Sequence, residues 1–183
     1  PSSEYFVYEC DEFDRNFLQF HPELSVITSL EYDHPDTYPD QTEYQAAFRQ
    51  FIDQSTAVVL WQDDADWLQE TSPKNWALRE DEVLPVTLAG EHNRRNATLV
   101  LKALERLGIS DSETNRRAVE LFPGVRRRFE QLGDNLYTDY GHTPTEIAAT
   151  LQMAREINDH VVLVYQPHQN IRQHEIHAQY TDT

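Results

Sequence analysis

Short apolar runs alternate with amphipathic segments along the whole chain, and this alternation constrains the fold more than any other feature. The apolar runs predict strands at residues 5–10, 24–30, 56–61, 83–90, 126–131, 135–140 and 161–165. Apolar residues at helical spacing predict helices at 41–54, 94–107, 110–122 and 144–157, with a short helix near 64–70. Strands that alternate with helices are typical of an α/β fold with a mostly parallel sheet.

A proline–glycine pair interrupts the pattern two thirds of the way along. The chain has 183 residues, which suffices for one large domain or two small ones. Because Pro123-Gly124 separates a helix from a new set of strands, we predict one domain at residues 1–123 and a second at 124–183.

The composition excludes several classes of function. The formal net charge is −17, with 32 acidic against 15 basic residues, so the surface repels nucleic acid. No apolar run reaches the roughly 20 residues that a membrane helix needs, and no signal peptide is visible at the start. The single cysteine, Cys10, excludes an internal disulfide and indicates a small buried side chain in a reducing compartment. We therefore expect a cytoplasmic protein without membrane insertion.

Acidic residues and a histidine follow the first two predicted strands. The acids after the first strand are Glu9, Asp11, Glu12 and Asp14, and Asp33-His34 follows the second. Because parallel strands end at the same sheet edge, Glu9 and His34 are candidates to meet there. Carboxylate oxygens suit Mg²⁺, and the alternative is a solvated acidic turn with an ordinary loop histidine.

Two further clusters are candidates for nucleotide binding. Asn93 and Asn96 share one face at a helix start, and an amide can pair with the edge of adenine; helix capping explains only one of them. Arg126–Arg128 form a basic strand that could meet phosphates, or could balance an acidic surface.

The stretch Asp139-Tyr140-Gly141-His142 precedes a helix with a complete start signal. Thr143, Pro144 and Glu146 form a capping box with proline in the first turn, which accounts for all three. That signal leaves Asp139 and His142 as candidate site residues. The strand at 161–165 also ends in polar residues, Gln166-Pro167-His168, followed by Arg172. The chain has no G-x-x-x-x-G-K-[ST] loop, no zinc pattern and no G-x-S-x-G elbow.

Taken in order, these motifs resemble one family. E-C-D-E-F-D, D-H-P-D-T-Y, G-E-H-N-R-R-N-A, R-R-F-E, D-Y-G-H-T-P-T-E-I and Q-P-H-x-x-x-R are similar to the ATP-dependent Mur ligases of peptidoglycan synthesis. The resemblance implies the latter part of a P-loop-type central domain followed by the first part of a Rossmann-like C-terminal domain. It implies amide-bond formation through an acyl phosphate with ATP and Mg²⁺, in service of cell-wall growth, cell shape and cell division. The implied substrates are UDP-N-acetylmuramate and L-alanine.

The resemblance also implies roles for individual residues. Glu9 and His34 correspond to the metal site, and His92, Asn93, Asn96, Arg128 and Asp139 to contacts with the nucleotide. The residues that correspond to catalytic or substrate-binding groups are Asp11, Asp14, His34, His142, His168 and Arg172.

The chain departs from the family pattern at several points. Thr143 stands where a second histidine is usual, Gln169 stands where an arginine is usual, and the chain is a few dozen residues shorter than expected around 79–84. Without a P-loop and a UDP-binding domain, the isolated chain is expected to lack ligase activity. The alternatives are a ligase that recycles murein tripeptide and a non-catalytic binding module derived from a Mur ligase.

Overall fold

The computed structural model describes residues 4–109 and 112–167. These residues form two compact units, one of residues up to 83 with 102–108, the other of 84–101 with 109 onward. The helices are α1 (Gln41–Gln54), α2 (Gln62–Leu68), α3 (Glu91–Arg106), α4 (Ser112–Glu120) and α5 (Pro144–Ile157). The strands are β1 (Leu24–Val26), β2 (Ala57–Trp61), β3 (Asn75–Leu78), β4 (Glu130–Gly133) and β5 (Leu136–Thr138). Short 3₁₀ segments cover Phe13–Gln19 and Glu80–Glu82.

The first unit is built on a three-stranded parallel sheet. Its order is β1-β2-β3, with β2 in the centre, and four of the five β2 residues are buried. Helix α1 begins where the Asp40 carboxylate accepts the backbone N–H of Glu43 at 2.9 Å, and its apolar stripe includes the fully buried Ile52. Cys10 packs against this core, partly buried. The predicted α/β class with a parallel sheet is therefore confirmed.

The second unit contains a small hairpin and the whole of helix α5. Strands β4 and β5 pair antiparallel, and the turn between them contains Asn135 at φ 57°, a left-handed conformation that asparagine tolerates. Helix α5 has the predicted bounds and the predicted capping box. Ile147 of α5 is buried, which gives the helix its packing face.

Three predicted strands are wrong. Residues 5–10, 83–90 and 161–165 contain no strand, and Phe6, Val7, Val162 and Val164 are exposed. A strand is completed by hydrogen bonds to a neighbouring strand, so an apolar run predicts one only where a partner lies beside it. The converse error is β3, which the sequence did not predict and which pairs with β2.

None of the helices in the described ranges combines the length and the apolar composition that a membrane crossing requires.

Candidate functional site

The Asp139 carboxylate organises the loop that precedes α5. Its Oδ2 accepts the backbone N–H of Phe129 at 2.7 Å, and its Oδ1 accepts the N–H of Gly141 at 2.7 Å. The hydroxyl of Thr150 donates to Oδ1 at 3.1 Å. Sequence reasoning found no structural explanation for Asp139, and these three bonds supply one: the side chain ties two loops and α5 together.

The Glu146 carboxylate holds the other end of the same loop. Its Oε2 accepts the backbone N–H groups of His142 at 2.8 Å and Thr143 at 3.1 Å. In return, Thr143 Oγ1 accepts the N–H of Glu146 at 3.3 Å. The capping role of Thr143 is thus confirmed, at the position where the family usually has a second histidine.

The imidazole of His142 lies among polar and aromatic groups. Its Nδ1 is 3.2 Å from the carbonyl oxygen of Tyr140 and 3.2 Å from Glu146 Oε2, and the side chain is only 12% exposed. The Tyr140 ring meets the imidazole edge-on, with the centroids 5.4 Å apart. Two arginines pack on the same tyrosine, with the Cζ of Arg127 at 4.6 Å and of Arg128 at 5.8 Å from its ring centroid.

This loop lines a groove of about 690 Å³ in the second unit. The volume lies in the range of small-molecule sites. Among the residues that line it are Arg127, Asp139, Tyr140, His142 and Tyr165. The groove therefore brings the predicted site residues Asp139 and His142 to one surface with Arg127, and we take it as a candidate binding site in the described part of this unit.

The predicted nucleotide residues lie at the start of α3. Asn93 donates from Nδ2 to the carbonyl of Ala89 at 2.9 Å, and Asn96 is exposed. The amide of Asn93 thus donates to a carbonyl just before its own helix, which is not the N-capping bond weighed for one of the two asparagines, because a cap accepts a backbone N–H. Nδ1 of His92 is buried and has no hydrogen-bond partner among the described residues. Burial lowers the pKa of His92, and the negative charges of Asp139 and Glu156 oppose that shift.

Residues of α5 hold the start of α3. Glu156 forms a two-pronged ion pair with Arg94, at 2.8 and 3.0 Å, and accepts the N–H of Gly90 at 2.9 Å. These bonds, together with one from Gln152, lower the pKa of Glu156 to about 2. Sequence analysis missed Glu156, because the residue lies 62 positions from Arg94 and no local pattern links them.

The predicted metal residues lie in the first unit. His34 adopts φ 58°, and its Nε2 is 3.4 Å from Glu12 Oε1 and 3.7 Å from Asp33 Oδ2. The carboxylates beside this imidazole are therefore Glu12, which was part of the predicted acidic cluster, and Asp33. Glu9 is exposed in a segment without regular structure. The described residues contain no cluster of three or more side chains that could hold a metal ion.

The remaining predicted site residues are less constrained. Asp11 Oδ1 accepts the N–H of Phe13 at 2.7 Å, which is a local turn bond, and Asp14 has a left-handed backbone. Arg126–Arg128 lie in a turn before β4, so their assignment to a basic strand is wrong, and Arg128 lies 3.7 Å from Glu146 Oε1. His168 and Arg172 lie outside the described residues.

The fold by itself defines an α/β protein with a parallel sheet, and comparison with known proteins defines its family. Residues 2–82 match the Mur ligase middle domain. The chain is 32% identical over 217 residues to a UDP-N-acetylmuramate–L-alanine ligase of Lactobacillus delbrueckii subsp. bulgaricus, covering 98% of this chain and 49% of that protein. A ligase of the same name from Lactiplantibacillus plantarum is 32% identical over 203 residues, with coverages of 92% and 46%.

A solved structure of a ligase of the same name also matches this chain. The crystal structure of UDP-N-acetylmuramate-alanine ligase MurC from Thermotoga maritima matches with a TM-score of 0.73 at 28% identity, covering 89% of this chain and 45% of that one. The chain belongs to the Mur ligase family. It spans about half the length of the curated relatives it matches.

The alignment also bears on the expected shortening of the chain. The alignment with the Lactobacillus delbrueckii ligase runs over 217 residues and covers 98% of the 183 residues of this chain, about 179, which leaves about 38 positions without a counterpart here. The relative therefore has an internal excess of a few dozen residues, as the motif spacing predicted. Its location near residues 79–84 stays a prediction, as does the domain boundary at 123 and 124.

Proposed function

We propose that this chain is part of an ATP-dependent ligase that joins L-alanine to UDP-N-acetylmuramate in peptidoglycan synthesis. The observation that carries the proposal is its similarity, over 98% of its length, to an enzyme of that name. The proposed reaction activates the muramate carboxylate as an acyl phosphate, which the amine of L-alanine then attacks. Charge neutralisation and positioning contribute most to such chemistry.

The start of α3 is the proposed adenine site. The buried Nδ1 of His92, without a partner among the described residues, is a polar atom that a bound base could satisfy. The lowered pKa of His92 favours the neutral ring, in which Nδ1 accepts a hydrogen bond when the proton lies on Nε2. The exposed amide of Asn96 would add a donor and an acceptor, and ATP would supply the phosphoryl group.

Binding of the remaining groups is proposed on the groove beside α5. Of the residues that the resemblance assigns, Asp139 and His142 line this groove, and they would contact the nucleotide and the muramate. Arg128 is proposed for the ribose and phosphates, and His168 and Arg172 for the muramate and the amino acid, on the resemblance alone. Asp139 already has three bonds within the protein, so its proposed contribution is to hold the loop as well as to contact the nucleotide.

The residues present do not by themselves form a complete site for Mg²⁺. The pair of His34 and Glu12 supplies two donors, and no group of three is found within the described ranges. Mg²⁺ commonly takes its other ligands from water and substrate phosphates. The assignment of Glu9 and His34 as ligands therefore stays a proposal, and no step of the reaction is derived from it.

The proposal is tested on the whole protein with phosphate release as the readout. Release should require ATP, Mg²⁺, UDP-N-acetylmuramate and L-alanine together, and a preformed tripeptide in place of L-alanine should give none. Asn96→Ala should weaken ATP binding, whereas Asn16→Ala, an exposed asparagine of the first unit, should not. Absence of phosphate release with every Mur substrate would refute the proposal, and release with tripeptide alone would favour the recycling ligase.

A further inference from the structure

The nitrogen Nδ1 of His142 has two neighbours that can only accept hydrogen bonds. One is the carbonyl oxygen of Tyr140 at 3.2 Å, and the other is the carboxylate oxygen Oε2 of Glu146 at 3.2 Å. A carbonyl and an ionised carboxylate carry no hydrogen to donate. Both contacts are therefore favourable only when Nδ1 carries the proton.

We propose that Glu146 is a positioning residue that fixes His142 as its Nδ1–H tautomer. The lone pair of the neutral ring then lies on Nε2, which becomes the nitrogen able to accept a proton or a hydrogen bond. A histidine whose one nitrogen is held by a carboxylate has a defined tautomer and ring orientation. The functional consequence rests on the proposed ligase function, in which His142 contacts substrate.

The position of Glu146 suits this role for a second reason. Its Oε2 also accepts the backbone N–H groups of His142 and Thr143, so one oxygen holds both the ring and the backbone of the same residue. The carboxylate is fixed in turn by the first turn of α5 and by Arg128 at 3.7 Å from Oε1. Side-chain groups with several such bonds lose most of their rotational freedom, and the imidazole is only 12% exposed.

The backbone around His142 also has contacts that do not involve Glu146. The hydroxyl of Tyr165 donates to its carbonyl oxygen at 3.2 Å, and Asp139 holds the preceding Gly141. Loss of Glu146 removes two backbone bonds of this loop. The contacts of Tyr165 and Asp139 remain to hold it, so the change expected at the ring is in its tautomer.

The test is nuclear magnetic resonance of the whole 183-residue chain. Long-range proton–nitrogen correlation of the imidazoles at pH 8, above the usual histidine range near 6.5, reports which nitrogen is protonated. The signals of His142 are identified by their absence in His142→Gln. In the unaltered chain, the shifts should be those of the Nδ1–H tautomer.

Two variants separate ring positioning from helix capping. Glu146→Ala removes the carboxylate and leaves the Tyr140 carbonyl as the acceptor beside Nδ1, so it should shift the tautomer ratio about tenfold toward Nε2–H, the effect of losing a contact of about 1.4 kcal/mol with a charged group. Thr143→Ala breaks the same capping box from its other side but leaves the carboxylate, so it should keep the Nδ1–H form. Backbone chemical shifts of residues 144–157 should be helical in both variants, which checks that α5 is retained.

Either of two results would overturn the proposal: an Nε2–H form in the unaltered chain, or an unchanged tautomer in Glu146→Ala. An equal shift in Thr143→Ala would also overturn it, because helix capping alone would then explain the effect. The tautomer measurement does not involve ligase activity. The tautomer proposal can therefore fail while the whole protein still releases phosphate, and the ligase proposal can fail while the tautomer is as expected.

Discussion

Replacement of Thr98 by valine tests how the segment before α3 is held. Thr98 is fully buried, and its hydroxyl makes two bonds. Oγ1 accepts the backbone N–H of Leu84 at 2.9 Å and donates to the carbonyl of Arg94 at 2.8 Å. Valine has nearly the same shape but neither function, so Thr98→Val removes the acceptor of the Leu84 amide without leaving a large cavity.

The magnitude follows from the amide that loses its partner. A buried N–H group without an acceptor costs about 1–3 kcal/mol. The added methyl group returns up to about 0.8 kcal/mol through burial. The net loss of unfolding free energy should lie between about 0.2 and 3 kcal/mol, since the Leu84 amide is partly buried. A loss near about 1.5 kcal/mol lowers the melting temperature by about 3–6 °C for a chain of this size.

Amide hydrogen exchange gives the more specific measurement. Exchange at Leu84 should accelerate roughly tenfold in Thr98→Val, since about 1.4 kcal/mol corresponds to a factor of ten. Thr98→Ser is the matched control, because it keeps the hydroxyl and loses only a methyl group, so Leu84 should stay protected. Equal protection of Leu84 in the unaltered chain and in Thr98→Val would refute the reasoning.

Further predictions concern the loop before α5 and the dependence of stability on pH. In Gly141→Ala, the new Cβ would lie 2.9 Å from Asp139 Oδ1, so calorimetry should show a loss of unfolding free energy of about 1–3 kcal/mol. In the control Gly133→Ala, the new Cβ meets no atom within 4 Å and stability should change far less. Similar losses in both variants would contradict the close approach. The pKa of Glu156 falls from 4.5 to about 2 on folding, so its stabilisation is complete above pH 4.5 and is lost as pH falls toward 2. Urea titrations over that range should show a shallower loss in Glu156→Gln, and an identical slope would contradict the ion pair. Because folding lowers the pKa of His92, the neutral ring is favoured, and stability should decline as pH falls below 6.5; His92→Gln should remove that part of the decline, and its persistence would assign it to another group.

The Asp139 carboxylate has a structural role that affects how substitutions at this position are interpreted. Asp139 bonds to Phe129, Gly141 and Thr150 within the protein. Loss of activity in an Asp139 variant would therefore combine loss of any nucleotide contact with movement of the loop. A stability measurement on the same variant separates these effects, since only movement of the loop changes the free energy of unfolding.

Local signals in the sequence predicted the helices best. The bounds of α1 and α5 agree with the prediction, because a capping residue and an apolar stripe lie within one segment of chain. The capping box of Thr143 and Glu146 was likewise predictable from four consecutive residues. Strands were predicted less well, as the run at 161–165 and the unexpected β3 illustrate. A helix satisfies its backbone within itself, whereas a strand depends on a neighbour that the run does not contain.

By itself, the sequence determined the α/β class, the start of α5 and, through the order of its motifs, membership of the Mur ligase family. Only the tertiary structure decided that Asp139 bonds to Phe129 and Thr150, that Glu156 reaches back to Arg94, and that Glu12 lies by His34. These contacts join residues that are 10 to 62 positions apart. The physical reason is that a side chain bonds to whichever groups the fold brings within about 3 Å of it. The type of residue alone does not determine which groups those are.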